Sequence, residues 1–109
     1  MLGARSAERL QALCDELISA GASASYVAGD ISDSAEAQRI VDAALERHGR
    51  LDGAFNNAGI SQGGGALADV SEERFDQLLA VNLKAVWLCM RAEIKAMLKL
   101  GRGGSDFAL

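Results

Sequence analysis

Apolar and polar residues follow the period of a helix over three segments of the chain. The first helix is predicted over residues 7–20, with Ser6 as its N-cap, because four apolar side chains share one face: Leu10, Leu13, Leu17 and Ile18. The second helix is predicted over residues 34–48, where Asp33 and Glu36 have the spacing of a capping box. Both segments are amphipathic, so each is expected to cover a sheet with its apolar face.

Short apolar runs between these helices predict strands. The run "SYVA", residues 25–28, is ended by Gly29 and Asp30, and the run at residues 52–56 stops at "NNAG", residues 56–59. Helices that alternate with strands predict an α/β domain with a parallel, doubly wound sheet, and 109 residues suit one such domain. Ligands of these sheets bind outside the carboxyl ends of the strands, where Asp30 and "NNAG" both lie.

The third helical segment is the longest and the most apolar. It is predicted from Ser71, a good N-cap, to about Leu100, after a glycine-rich loop. Its apolar residues occupy more than one face: Val86, Trp87, Met90, Ile94 and Met97. We therefore expect part of this helix to contact another subunit or domain. The tail "GRGGSDFAL" is predicted to be a loop.

Composition and charge exclude several classes of function. A formal net charge of −4 without a basic tract argues against nucleic-acid binding. The longest apolar stretch is broken by Asn82 and Lys84 and no signal peptide precedes it, so we expect a cytoplasmic protein without a membrane span. Cys14 and Cys89 lie far apart with no histidine nearby, and since metal sites need closely spaced ligands, no metal site is predicted.

Three motifs taken together resemble the classical short-chain dehydrogenase/reductase family: "GDISD" after one strand, "NNAG" after the next, and "VNLKAVWL" in the long helix. The resemblance extends from the first residues to about Gly104. It implies a Rossmann-type fold that binds NAD(P) and hydride transfer between that cofactor and an alcohol or carbonyl substrate. The family builds a dimer with the helix equivalent to residues 71–100, so the resemblance also implies a homo-oligomer.

The resemblance implies a role for each motif residue. Asp30 would accept a hydrogen bond from the adenine amino group and Ile31 would touch the ring. The cofactor ribose would be lined by a short run of residues: Asn57, Ala58 and Gly59. Asn56 would tie neighbouring strands together. Asn82 resembles the asparagine of the family's catalytic tetrad, which interrupts helical bonding and holds a water of the proton relay on its main-chain carbonyl.

Each of these residues also has a plainer interpretation. The asparagine pair Asn56-Asn57 suits a simple turn, and Asp30 suits a helix cap, although Asp33 already supplies one. The alternative for Asn82 is an incidental position in a helix, which is costly because its side-chain amide would lie in an apolar segment without a hydrogen-bond partner.

The N-terminal segment indicates which cofactor is preferred. "GARSAERLQAL" resembles the strand and helix in which NAD-preferring family members carry an acid for the ribose hydroxyls. That position is Ala4 here, and Arg5 follows it, which suits the 2′-phosphate of NADP. NAD remains the alternative cofactor, and a solvated surface arginine is the alternative interpretation of Arg5.

Two parts of the family's machinery have no counterpart in residues 1–109. The first strand and its phosphate-binding glycine loop are not matched, because the GxxxGxG at Gly59, Gly63 and Gly65 overlaps "NNAG" and no acid follows at a next strand end. Tyr26, the sole tyrosine, has no lysine four residues later, and Asp106 stands in the strand where the family's catalytic serine is expected.

We therefore expect residues 1–109 to be an internal fragment of a family member. Its sheet would be a partial Rossmann-type sheet that lacks the first and the C-terminal strands, with a gap of roughly 10 Å in the hydrogen-bond ladder. We expect little stability and no activity from such a chain alone. The alternative function is a non-catalytic interaction module that uses the long apolar helix.

Overall fold

The computed structural model describes residues 1–61, 63–101 and 103–108. Within these ranges, strands and helices alternate as the sequence predicts, in the order β1 Leu2–Ala4, α1 Ala7–Ser19, β2 Tyr26–Ala28, α2 Ser34–His48, β3 Gly53–Asn56, α3 Glu72–Leu79, α4 Ala85–Leu100 and β4 Ser105–Ala108. A 3₁₀ turn, Leu67–Asp69, precedes α3, and a π-helical turn, Ala80–Lys84, joins α3 to α4. None of the helices in the described ranges has the length and apolar character that crossing a bilayer requires.

The strands form two separate parallel pairs. β1 pairs with β2, with Leu2 opposite Tyr26, and β3 pairs with β4, with Gly53 opposite Ser105. No ladder joins β1 to β3 in the described part of the chain. The sheet is therefore interrupted between the N-terminal strand and the strand at 53–56, where the sequence predicts a break.

β4 corrects the prediction for the C-terminal tail, which was expected to be a loop. Ser105–Ala108 instead pairs with β3 residue by residue, and Phe107 lies opposite Phe55. This pairing supplies hydrogen-bond partners for backbone groups of both segments. Because the partner strand is distant in the sequence, the short mixed run of residues at 105–108 does not reveal the strand in its own pattern. Arg102 and Leu109 of this tail lie outside the described residues.

The helices begin at the residues that the sequence indicates. The side chain of Ser6 accepts a hydrogen bond from the Arg9 amide, and that of Asp33 accepts from the amides of Ala35 and Glu36. The predicted capping box is only half formed, because the carboxylate of Glu36 pairs with Arg39 and does not reach back to Asp33. The guanidinium of Arg39 also donates to the Ala28 carbonyl, so this pair connects the first turn of α2 to the end of β2.

The best-buried part of the molecule lies between α2 and α4. Small and apolar side chains of the two helices form two adjacent clusters: Ala37, Leu88 and Cys89 in one, and Val41, Ala92 and Ala96 in the other. α1 packs on β1 and β2 and buries Leu10 and Cys14. Leu13 and Ile18, which the pattern places on the same apolar stripe, are exposed, so only part of that stripe is covered.

The third helical segment is not one continuous α-helix. At the π-helical turn the amide of Ala85 donates to the carbonyl of Ala80, five residues back, where an α-helix would bond four residues back. Past this turn, α4 buries one side against α2 and exposes Trp87 and Ile94 on the other. Met97, another of the apolar residues of this segment, is buried and lies against Gly104 just before β4.

Candidate functional site

A cleft of about 240 Å³ lies at the carboxyl ends of β1, β2 and β3. Its lining includes five of the residues that the sequence analysis singles out: Arg5, Asp30, Ile31, Ala58 and Gly59. Three segments that are distant in the sequence meet here because parallel strands end at the same edge. Asn57 and Asn82 do not line this cleft, although each is close in sequence to residues that do.

Asp30 presents an ionised carboxylate at the cleft. Its Oδ1 accepts hydrogen bonds from the Ser32 hydroxyl at 2.7 Å and from the Ser32 amide at 3.0 Å. These two bonds hold the pKa of Asp30 below its ordinary value, and the positive charge of Arg5 acts in the same direction. Asp30 does not cap α2, because Asp33 does so, and its exposed carboxylate can therefore accept a further hydrogen bond.

Gly29, just before Asp30, lies close to the side-chain ends of two residues in the first turns of α2. A Cβ at this position would lie 2.5 Å from Oε2 of Glu36 and 3.0 Å from Nη2 of Arg39. Any side chain there would displace the Glu36–Arg39 pair that holds the start of α2 against β2. The glycine thus positions the Asp30–Ser32 turn by allowing close approach of α2.

Asn82 holds the loop after β3 from the π-helical turn. Its Oδ1 accepts from the Ile60 amide at 2.8 Å, and its Nδ2 donates to the Ile60 carbonyl at 2.7 Å. A Cβ at Gly59 would lie 3.4 Å from Oδ1 of Asn82, an ordinary contact distance, so these bonds do not by themselves require a glycine there. The side chain of Asn82 therefore binds the backbone next to "NNAG", and the interruption of helical bonding expected at this asparagine is present as the π-helical turn.

Sequence reasoning missed a second anchor of the same loop. Arg74 on α3 donates through Nη1 to Gln77 at 2.7 Å and through Nη2 to the carbonyl of Ser61. Gln77 itself lines the cleft beside Ala80 and Val81. A single arginine on a helix has no distinctive sequence signal, so only the spatial approach of α3 to the loop identifies it.

A separate polar cluster lies where β3, β4 and α4 meet. Nδ2 of Asn56 donates to Oε2 of Glu93 at 2.9 Å and to Oδ1 of Asp106 at 2.8 Å. Asn56 thus ties β3 to β4, as expected, and to α4 as well. Burial, followed by a hydrogen bond with Asp106, raises the pKa of Glu93 to about 7. Besides Asn56, the sequence signal for this cluster is Glu93, a glutamate on the side of α4 that is buried with small and apolar residues.

The described residues show no acid–base pair of the tyrosine–lysine type. The hydroxyl of Tyr26 donates to Oε1 of Gln11 on α1 at 2.9 Å. Ser25 and His48 are joined by a hydrogen bond of 2.8 Å between Oγ and Nε2, which links the start of β2 to the end of α2. Groups of three or more metal-ligating side chains are also absent from the ranges that the structure describes.

Comparison with known proteins supports the family resemblance that the three sequence motifs indicate. The family model for short chain dehydrogenase matches residues 1–105. An A-factor type gamma-butyrolactone 1′-reductase (1S-forming) of Streptomyces virginiae is 43% identical over 102 residues, which are 94% of this chain and 40% of that relative. The chain therefore spans about two fifths of the length of this curated relative.

Solved structures agree in fold over nearly the whole chain. A short-chain type dehydrogenase/reductase from Mycobacterium marinum superimposes with a TM-score of 0.92 at 28% identity, covering 97% of this chain and 42% of that one. A metagenomic short-chain oxidoreductase in complex with NADP superimposes with a TM-score of 0.85 at 37% identity, covering 96% of this chain and 48% of that one.

Proposed function

The chain belongs to the short-chain dehydrogenase family, and on that premise we propose that it binds the adenosine end of NADP(H) in an oxidoreductase that acts on an alcohol or carbonyl substrate. The observation that carries the proposal is the cleft at the carboxyl ends of β1, β2 and β3, which brings Arg5, Asp30 and Gly59 together. When bound, the cofactor supplies the hydride that the reaction transfers. The chain's own residues bind and orient the adenosine end.

Asp30 and Ile31 suit an adenine ring. The carboxylate of Asp30 has acceptor capacity beyond its two bonds from Ser32, and an adenine amino group is a donor. Ile31 lines the same cleft and is partly buried, so it can provide an apolar contact for the ring. Asn57, Ala58 and Gly59 follow at the end of β3, where small side chains at Ala58 and Gly59 allow a ribose to approach the backbone.

Arg5 favours NADP over NAD. Its guanidinium lies at the cleft, close enough to Asp30 to act on that carboxylate's pKa. A guanidinium binds a phosphate with paired hydrogen bonds, and Ala4 cannot offer the carboxylate that would bind the ribose hydroxyls of NAD. NAD is the alternative, and a comparison of the two cofactors distinguishes them.

Asn82 is proposed as the catalytic residue that this chain contributes. Its side-chain amide makes one bond at each end to Ile60, and we assign the contact with a water of the proton relay to its main-chain carbonyl. The π-helical turn around it supports this role, because such turns alter the carbonyl bonding of a helix and are frequent at functional sites.

The outward side of α4 supports a proposal of self-association. Trp87, Ile94 and Leu98 are exposed there, and Arg91 lies over the Trp87 ring at 4.5 Å from its centroid. A run of exposed apolar side chains on one helix is typical of a protein–protein contact. A non-catalytic interaction module would use the same surface, so this surface does not distinguish such a module from an oxidoreductase. Binding of the cofactor distinguishes them.

Binding of cofactor to residues 1–109 tests the proposal. We expect NADP to perturb the NMR amide signals of Asp30 and Gly59, with an affinity at least about tenfold higher than that of NAD, since the added phosphate gains charge-assisted bonds. Arg5→Ala should remove this difference. Lys99→Ala, which also removes one exposed positive charge, should keep it. Equal affinities in the parent chain, unchanged by Arg5→Ala, would show that the NADP assignment is wrong.

A turnover assay of the same chain gives a second readout. We expect no oxidation of NADPH with a range of carbonyl substrates, because Tyr26 is bonded to Gln11 and the described residues show no tyrosine–lysine pair. General acid–base catalysis is worth about 10²–10⁴-fold, so its loss is large. Clear turnover by residues 1–109 would contradict this expectation.

A further inference from the structure

Two carboxyl groups meet at a single amide where β3, β4 and α4 come together. Glu93 on α4 is only 8% exposed, and Asp106 on β4 is partly buried. Nδ2 of Asn56 donates one hydrogen bond to each of them. Its two N–H groups are then fully used, and no further donor from Asn56 remains for the other carboxyl oxygens.

One of those oxygens has no hydrogen-bond partner in the part of the chain that the structure describes. Oδ2 of Asp106 is buried, and within the described residues nothing donates to it. A buried acceptor without a donor costs about 1–3 kcal/mol, and more if it is charged. A proton on Glu93 removes this cost, because a neutral carboxyl group can donate to Asp106, and the nearness of Asp106 is one cause of the raised pKa of Glu93.

The surroundings of the pair offer no positive charge among the described residues. Cys89, one turn before Glu93 on α4, stays a neutral thiol, since burial and the two carboxyl groups raise its pKa to about 11. α2 faces α4 with apolar side chains: Ala37, Val41 and Ala44. The ion pairs found elsewhere join Arg39 to Glu36 and Arg50 to Asp52. Two ionised carboxylates would therefore repel each other here without compensation.

We propose that Glu93 and Asp106 share one proton, and that this proton is a pH-sensitive latch that holds β4 on β3 and α4. β4 is a four-residue strand whose ladder in the described chain is with β3 alone. Phe107 is exposed, and the register places Asp106 on the same side of the pair as Asn56. Asp106 thus supplies a side-chain attachment of β4 to the rest of the molecule.

The direction of the pH dependence follows from Glu93. Its pKa in the folded chain, about 7, lies above the ordinary value of 4.5, so the folded state holds a proton that the unfolded state releases between these values. The latch therefore contributes fully below about pH 4.5 and is lost as the pH rises through about 7. Above neutral pH, β4 should be released while β1 and β2 stay paired.

Amide hydrogen exchange of the full 109-residue chain tests the latch. After correction for intrinsic exchange rates, we expect the protection of residues 105–108 to fall on the order of tenfold between about pH 5.5 and about pH 8.5. Residues 26–28 of β2 serve as the internal reference, and their protection should change much less. Flat protection of β4, equal loss in β2 and β4, or no protection of β4 at any pH would each overturn the proposal.

Three variants identify the groups responsible. Glu93→Gln keeps an acceptor for Asn56 and donates to Asp106 at every pH, so the protection of β4 should become independent of pH. Asp106→Asn removes the shared proton and should weaken the dependence, although burial still raises the pKa of Glu93. Glu46→Gln, an exposed glutamate on α2, should behave like the parent chain. If Glu93→Gln also unfolds β2, Asp106→Asn decides, and a pH dependence as large as that of the parent chain would overturn the proposal.

Discussion

Asn56 and Asn82 show how one type of side chain connects distant parts of the chain in two ways. Asn56 uses only its Nδ2 group, to reach carboxyl groups on α4 and β4. Asn82 uses both its oxygen and its nitrogen, to bind the amide and the carbonyl of Ile60. An amide side chain suits both tasks because it carries a donor and an acceptor. At this scale the polar residues in apolar segments position the loop and strand around them.

Asn82→Ala should destabilise the chain by about 1 kcal/mol, because it removes two hydrogen bonds that are partly exposed to water. Protection of the Ile60 amide from hydrogen exchange should fall as well. Urea unfolding gives the first value and exchange by NMR gives the second. Asn57→Ala is the matched control, since Asn57 is exposed and makes no side-chain hydrogen bond within the described residues. An Asn82→Ala chain as stable and as protected as the control would contradict the role of Asn82 as the anchor of the loop.

The helices end where the backbone leaves the helical region. Gly49 after α2 and Gly101 after α4 both adopt left-handed conformations, with φ of 76° and 67°. Each accepts this geometry because it has no Cβ. Between α3 and α4 no such residue occurs, and the chain passes through the π-helical turn without breaking. Local chemistry therefore stops α2 and α4, as Gly21 with φ of 94° also does after α1, and only modifies the junction of α3 with α4.

Gly49→Ala should cost about 1–2 kcal/mol, because an alanine in the left-handed region is strained. The cost should come from the backbone alone, since a Cβ at this position meets no other atom within 4 Å. Gly64→Ala is the control, because it also has open space around it but does not require a left-handed backbone. Thermal melts of both variants measure the difference. If the two glycines were equally tolerant of alanine, conformational strain at Gly49 would not be what ends α2.

On the scale of the whole molecule, the two sides of α4 have different partners. The side toward α2 buries a continuous series of small and apolar residues, and the side away from α2 exposes Trp87 and Leu98, the latter at 75%. The two strand pairs are likewise only partly covered, with Phe55 and Phe107 exposed on the same side of β3 and β4. Apolar surfaces of this extent favour association.

We expect the chain to form a homo-oligomer through the outward side of α4. Ile94→Glu combined with Leu98→Glu should shift the protein to the monomer, since charges in an apolar contact remain unpaired. Leu67→Glu is the matched control, because Leu67 is 84% exposed on the 3₁₀ turn, away from α4 in the sequence. Sedimentation velocity over a range of concentrations distinguishes the states. A parent chain that sediments as a monomer at high concentration would contradict the prediction.

The sequence by itself determined the features that depend on neighbouring residues. Ser6, Asp33 and Ser71 cap the helices they were predicted to cap, and Gly49 ends α2, because capping bonds and left-handed turns involve residues only a few positions apart. The motifs "GDISD", "NNAG" and "VNLKAVWL" taken together also sufficed to identify the family that the comparisons confirm. Arg5, Asp30 and Gly59, expected at the ends of parallel strands, do line one cleft, because topology brings such ends together.

Only the tertiary structure decided the features that depend on distant segments. The strand at Ser105–Ala108 forms because β3 offers it a ladder, and its own residues show no strand pattern. The Asn82–Ile60 bonds, the Arg74–Ser61 bond and the Asn56–Glu93–Asp106 cluster join residues that are 13 to 50 positions apart. Hydrogen bonds and burial energies of this kind arise only when packing removes water from particular pairs of groups, and a linear pattern of residue types does not specify those pairs.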